Sequence, residues 1–284
     1  MKFLVLGATG MAGHTISLYL CSKGHDVTTY SRTAFSYGNN ITGDISDANF
    51  LRSLLLEDDY DVVVNCIGVL NDACETDREK SVYLNSYLPH AIVSLLKSRK
   101  TKLIHLSTDC VFSGKTAPYH EKSLLDGETF YDRTKGLGEI KSTQHLTFRN
   151  SIIGPDLKED GIGLFNWFMK QHDTINGYTS AIWTGVTTLT LAKAIERAAI
   201  EGTTGLYHLV NNSSISKFDL LQLFNKHFKE NKVIIRPYEL VNINKTLVNT
   251  RNDFSFTVPS YEEMVFEMKN WIWQHKELYP HYFK

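Results

Sequence analysis

Nine residues near the start constrain this chain more than any others. In "VLGATGMAG", Gly7, Gly10 and Gly13 recur every third residue between the apolar run "KFLVLG" and the helical pattern "MAGHTISLYLCSK". A strand, a glycine turn and a helix in that order bring backbone N–H groups and a helix N-terminus to one point, which suits a pyrophosphate. Missing Cβ atoms let the ligand approach the backbone. The expectation is a dinucleotide cradled by Gly7, Thr9, Gly10, Met11, Ala12 and Gly13. A glycine triplet alone is a weak signal, and its weight depends on the pattern of the chain beyond it.

Beyond it the chain alternates. Apolar strand patterns at 26–32, 61–68, 102–108 and 146–154 are separated by helical patterns at 47–57, 85–99 and 130–142. Strands apolar on both faces, with helices between them, predict a Rossmann-type doubly wound parallel α/β sheet. After Gly154-Pro155 the texture shifts to short strands and amphipathic helices. The expected division is a dinucleotide-binding domain over 1–155, with 186–210 returning to it, and a smaller α+β substrate-binding domain over 156–284. The 284 residues and 42% hydrophobic content suffice for both cores.

Composition closes off several classes. A net charge of -1 and no long basic run argue against a nucleic-acid partner. The four cysteines form no C-x-x-C pair, which predicts reduced thiols, and the eleven histidines show no metal-ligand spacing, so no metal is expected. No apolar run approaches the roughly 18 residues of a membrane span, and the N-terminal one is too short for a signal peptide. The expectation is a cytoplasmic protein acting on a small molecule. The aromatic C-terminus "NWIWQHKELYPHYF" suits core packing or a homodimer contact.

The second strand chooses the cofactor. It ends at Ser31-Arg32, without the acidic residue that takes the ribose hydroxyls of NAD. An arginine fork there grips a 2′-phosphate, so NADPH is predicted. Asp44 either accepts from the adenine amino group or caps the helix that starts near Asp47. Cys66, Ile67 and Gly68 are expected to let the cofactor ribose pass close to the backbone.

"FYDRTKGLGE" places Tyr131 and Lys135 one helical turn apart. An ammonium beside a phenol favours the phenolate, and a phenol so tuned can trade protons near neutral pH. The same pattern also fits an ordinary solvated helix face.

Taken in order, "GATGMAG", "GDISD", "LSTDCVFSG" and "YDRTKGLGE" resemble the extended short-chain dehydrogenase/reductase family. They are most similar to its dTDP-4-dehydrorhamnose reductase-like branch of nucleotide-sugar 4-ketoreductases. The resemblance is specific over about residues 1–155 and weaker beyond. It implies a catalytic set of Thr108, Tyr131 and Lys135, with Tyr131 and Lys135 also touching the cofactor. It implies an NADPH-dependent reduction of the C4 ketone of a 6-deoxy-4-keto nucleotide sugar, feeding a surface polysaccharide. It also places Asn85 where the family carries a water-relay asparagine, although a helix N-cap explains that residue equally well. Cys110 stands where the branch usually has a tyrosine, so the sugar pocket is expected to be reshaped around Asp109 and Cys110. Asn166, Trp183, Lys245 and Arg251 are the further substrate candidates. Trp183 reads equally as core, Asn166 as a polar helix position, and Arg149, if buried, must be paired. Two other readings stand beside this one: an epimerase or dehydratase of the same family, and a non-catalytic NADP-binding regulatory subunit.

Overall fold

The computed structural model describes residues 1–284. Along the chain run β1 (Lys2–Leu6), α1 (Met11–Ser22), β2 (Asp26–Ser31), β3 (Asn39–Thr42), α2 (Ala48–Leu56), β4 (Val62–Asn65), α3 (Asp72–Thr76) and α4 (Arg78–Ser81). A π-helical segment, Val82–Tyr87, then leads into α5 (Leu88–Leu96), followed by β5 (Lys102–Ser107), α6 (Phe130–Leu137), β6 (Leu146–Arg149) and β7 (Ile152–Ile153). The rest comprises α7 (Leu164–Met169), β8 (Thr174–Tyr178), β9 (Ala181–Trp183), β10 (Val186–Thr187), α8 (Thr188–Glu201) and β11 (Gly205–His208). It closes with β12 (Ile215–Ser216), α9 (Lys217–Phe228), β13 (Ile234–Tyr238), β14 (Ile243–Asn244) and α10 (Tyr261–Gln274).

Seven strands form one sheet in the order β11-β6-β5-β4-β1-β2-β3, and all its pairings are parallel. Successive side chains of a strand point to opposite faces. Phe3, Val5, Val62, Val64, Ile104 and Phe148 therefore enter one core with α1 and α8. Leu4, Leu6, Val63 and Leu103 enter the other, with α2 and α5. Burial on both faces is the physical reason that "FLVL" and "VVV" read as unbroken apolar runs.

The chain rejoins this sheet late. α8 lies on α1, where the Thr15 hydroxyl donates to Thr188 Oγ1 at 3.1 Å and the Tyr19 hydroxyl to Glu196 at 2.7 Å. β11 then adds the outermost strand beside β6. Part of the aromatic C-terminus packs inward, with Trp271 and Tyr279 buried and Trp273 and Phe283 left exposed; the Tyr279 hydroxyl lies 2.9 Å from His14 Nε2. That enclosure pushes the His14 imidazole down to about 4. No helix is long and apolar enough to cross a membrane.

Three local expectations need correction. The apolar run 146–154 is not one strand, because β7 leaves the main sheet to pair with β10. Helix α6 stops at Leu137 rather than at residue 142. There Gly138 meets the π-helical segment so closely that a Cβ would sit 1.9 Å from the Asn85 carbonyl oxygen. Asn85 itself does not begin a helix; it lies buried within the π-helical segment, so the N-cap explanation fails.

Candidate active site

The strands' carboxyl ends gather the expected residues along one edge. Gly7 leaves β1 with φ +87°, a left-handed backbone that disfavours any other residue. A Cβ on Gly13 would stand 2.1 Å from the Gly7 carbonyl oxygen, so α1 can start this close to β1 only with glycine there. No side chain caps the N-terminus of α1. Its first-turn N–H groups, at Met11, Ala12 and Gly13, are left to an external acceptor, and the helix dipole favours an anion there. Thr9 and Gly10 complete the turn. These features fit a dinucleotide pyrophosphate.

At the end of β2, Ser31 is buried, its hydroxyl spent on the Thr33 carbonyl at 2.7 Å. Arg32 is exposed beside it, with no carboxylate paired to its guanidinium. Asp44 folds back on its own turn, accepting from the Ser46 N–H at 2.9 Å and the Ser46 hydroxyl at 2.6 Å. The cap of α2 is Asp47, so the capping role weighed for Asp44 is corrected.

Cys66, Ile67 and Gly68 come directly after β4. A Cβ on Gly68 would lie 3.3 Å from Asn85 Oδ1 and 4.0 Å from Lys135 Nζ, so glycine keeps this corner open. The Asn85 amide clamps the same backbone, accepting from the Val69 N–H at 2.8 Å and donating to the Val69 carbonyl at 3.0 Å. It also donates to Thr134 Oγ1 at 3.2 Å, tying this turn to α6.

Helix α6 is set by a capping box between Thr129 and Asp132. It carries Tyr131 and Lys135 toward Thr108, the residue after β5. Lys135 is buried, and its ammonium donates to the Leu106 carbonyl at 2.7 Å. Burial brings it down to about 8, opposed by the Glu139 carboxylate. The Tyr131 phenol is not pulled toward neutrality by Lys135, as the sequence suggested. Burial holds it well above its ordinary range, Cys110 adds to the rise, and the Thr108 hydroxyl opposes it. Lys135 is not among the main influences on the phenol; its ammonium is turned to the Leu106 carbonyl. Thr108 Oγ1 donates to Asp109 at 3.1 Å and accepts from the Cys110 N–H at 3.1 Å. Burial raises the Asp109 carboxyl, and pushes the Cys110 thiol up to about 12.

The substrate candidates divide. Lys245 stands close enough to Asp109 and Cys110 to oppose both rises. Its loop is pinned there by the Tyr119 N–H donating to the Thr246 carbonyl at 2.8 Å and the Val248 N–H to Tyr119 at 2.9 Å. The other three are engaged within the fold itself. Asn166 is fully buried and donates to the Glu159 and Gly161 carbonyls at 3.0 and 2.6 Å, stapling the loop before α7. Trp183 is a core residue that donates to Ser151 Oγ at 2.8 Å and packs on Tyr261. Arg251 grips the Thr204 and Leu206 carbonyls at 2.7 and 3.0 Å, tying down β11.

Sequence reasoning missed Glu139 and Lys217. Glu139 carried a signal, its i,i+4 spacing from Lys135. Lys217, at the start of α9, faces Asp109 from a distant part of the sequence and carried none.

Residues 1–274 match the family described as RmlD substrate binding domain. The chain is 26% identical over 232 residues to a probable low-salt glycan biosynthesis reductase, Agl14, of Haloferax volcanii, covering 77% of each protein. It is 29% identical over 227 residues to a dTDP-4-dehydrorhamnose reductase of Streptomyces griseus, covering 74% of this chain and 70% of that one. Its fold matches the structure of a dTDP-4-dehydrorhamnose reductase from Bacillus anthracis in complex with NADP, with a TM-score of 0.79 and 19% identity. That match covers 94% of this chain and 98% of the other.

Proposed function

We propose, from the premise that this chain belongs to the RmlD substrate-binding-domain family, that it uses NADPH to reduce the C4 ketone of a 6-deoxy-4-keto nucleotide sugar. The product is a precursor for a surface polysaccharide. The observation that carries this reading is the convergence of Thr108, Tyr131 and Lys135 beside the glycine-lined edge where β1, β4 and β5 end. Its relatives named as reductases of dTDP-sugars and in glycan synthesis support the substrate class.

Bound NADPH would supply the hydride. The N–H groups of Met11, Ala12 and Gly13 would hold its pyrophosphate, and Arg32 its 2′-phosphate. Lys135 would reach its nicotinamide ribose across the gap that Gly68 leaves. The raised Tyr131 phenol stays protonated through neutral pH and so is loaded to give its proton to the sugar O4 as negative charge develops there. Thr108 would turn its hydroxyl from Asp109 to that oxygen, stabilising the same charge. Lys245, beside Asp109 and Cys110, supplies a cation for the diphosphate.

A panel of dTDP-, UDP- and CDP-linked 4-keto-6-deoxy sugars, monitored by NADPH absorbance, tests this. Stoichiometric NADPH oxidation with at least one of them is expected. A sugar converted without net NADPH loss would instead mark an epimerase or dehydratase, and no conversion of any member would favour the regulatory-subunit reading.

A further inference from the structure

Glu139 lies one turn beyond Lys135, and its carboxylate is almost sealed from solvent. Its Oε1 accepts from the Ser107 hydroxyl at 2.7 Å and from Arg149 Nε at 2.8 Å, and its Oε2 from Arg149 Nη2 at 2.6 Å. Arg149 continues outward: Nη1 meets His208 Nε2 at 2.7 Å, and the guanidinium lies 4.9 Å from the Phe112 ring centre. His208 Nδ1 lies 3.0 Å from the Val248 carbonyl. The ring is neutral, pushed down to about 4 by burial and by Arg149, so Nδ1 donates to Val248 and Nε2 accepts from Arg149.

The two ends of this array share one strand. Lys135 is tied to Leu106, Glu139 to Ser107, and the next residue is Thr108. The groups facing Lys135 are the thiols of Cys66 after β4 and Cys74 on α3, the His105 imidazole on β5, the Tyr131 phenol on its own helix, and Glu139. Glu139 is the one carboxylate among them, and it works against the burial that loosens the lysine's hold on its proton. Arg149 approaches that carboxylate from β6, whereas Lys135 approaches from α6.

We propose that Glu139, fixed by Arg149 and Ser107, is a positioning residue for the reduction: it keeps the Lys135 ammonium charged and seats the end of β5 that presents Thr108. This rests on the role proposed for Lys135 at the nicotinamide ribose. A buried pair of this kind adds little to stability compared with apolar packing, so its use here is to hold a charge in place.

The test is the titration of Lys135, read by NMR on lysine-labelled protein and assigned with Lys135→Met. In Glu139→Gln the Lys135 midpoint should fall by about one pH unit or more. The alkaline limb of the kcat/KM profile should move to lower pH with it, with KM for the nucleotide sugar little changed. Glu139→Gln leaves Arg149 unpaired, so Glu139→Gln/Arg149→Met, which removes both charges, guards against a folding defect and should show the same fall. Arg149→Lys retains the carboxylate and should hold the midpoint near the parent's. An unmoved midpoint in the folded single and double variants would overturn the proposal. The titration needs no turnover, so a midpoint that falls while the rate profile stays fixed counts for Glu139 and against the catalytic role of Lys135.

Discussion

The glycine-lined edge of the sheet, proposed for the dinucleotide, and the loops around Asp109, proposed for the sugar, are built on different principles. The first is made of backbone. Gly7 and Gly13 are there because of what a Cβ would strike, Cys66 and Ile67 after the adjacent strand for Gly7 and the Gly7 carbonyl for Gly13, while Gly68 leaves room beside Asn85 and Lys135 from farther along the chain. The second is made of side chains brought together over long separations, with Lys245 held beside Asp109 by pairing of its loop with Tyr119. Backbone-defined sites leave a local sequence pattern. Side-chain sites assembled by tertiary contacts do not, and there polar residues that look free for a ligand prove to be structural.

The largest break in this comparison comes from Tyr131, the acid proposed between the two regions. Tyr131→Phe keeps the ring and removes the proton, so turnover should fall by about two to four orders of magnitude while NADPH affinity, measured separately by fluorescence, is retained. Near-parent turnover on a confirmed substrate would remove Tyr131 from the mechanism.

Gly13→Ala attacks the backbone-built edge. Its methyl would stand 2.1 Å from the Gly7 carbonyl oxygen, so β1 and α1 must part. The expected result is loss of NADPH binding and about 1–3 kcal/mol of stability, the range for overpacking, read by titration and thermal unfolding. Unchanged affinity would mean that the pyrophosphate lies elsewhere.

Arg32→Ala should remove roughly 1–3 kcal/mol of the preference for NADPH over NADH, the scale of a charge-assisted hydrogen bond, and leave NADH binding unaltered. Equal affinities in the parent would already refute it.

The smallest effect sharpens the sugar side. Lys245→Ala should raise KM for the nucleotide sugar by roughly tenfold, about 1–2 kcal/mol for a partly exposed charged contact, with kcat nearly constant. Arg251→Ala should leave KM alone and lower the unfolding midpoint instead, because its partners are the Thr204 and Leu206 carbonyls. The reverse pattern would exchange the two residues' roles.

The same contrast explains how far the sequence could be read. The parallel sheet was legible because strands buried on both faces have no polar alternation, as in "VVV" of β4. The pairing of β11 with β6 is less so, since nothing in "GLYH" names its neighbour. In the site, the Tyr131/Lys135 spacing is local and readable. The raised Tyr131 phenol is not, because desolvation depends on everything packed around α6. Asn85 misled as a helix start because a π-helical turn has no residue signature of its own. Trp183 and Arg251 are hard to read for the opposite reason: an indole and a guanidinium suit a ligand or the fold alike, and here they donate to Ser151 and to the Thr204 and Leu206 carbonyls.

Hydride transfer to the C4 carbon is the central claim, and deuterium tracing tests it most directly. The chain is incubated with NADPH deuterated at the transferable C4 position and a 4-keto-6-deoxy nucleotide sugar, and the product sugar is examined by proton NMR. One deuterium per product is expected, at the sugar C4, with the C4 proton signal missing and the neighbouring couplings collapsed. Product with a proton at C4, or oxidation of the cofactor without a reduced sugar, would contradict it.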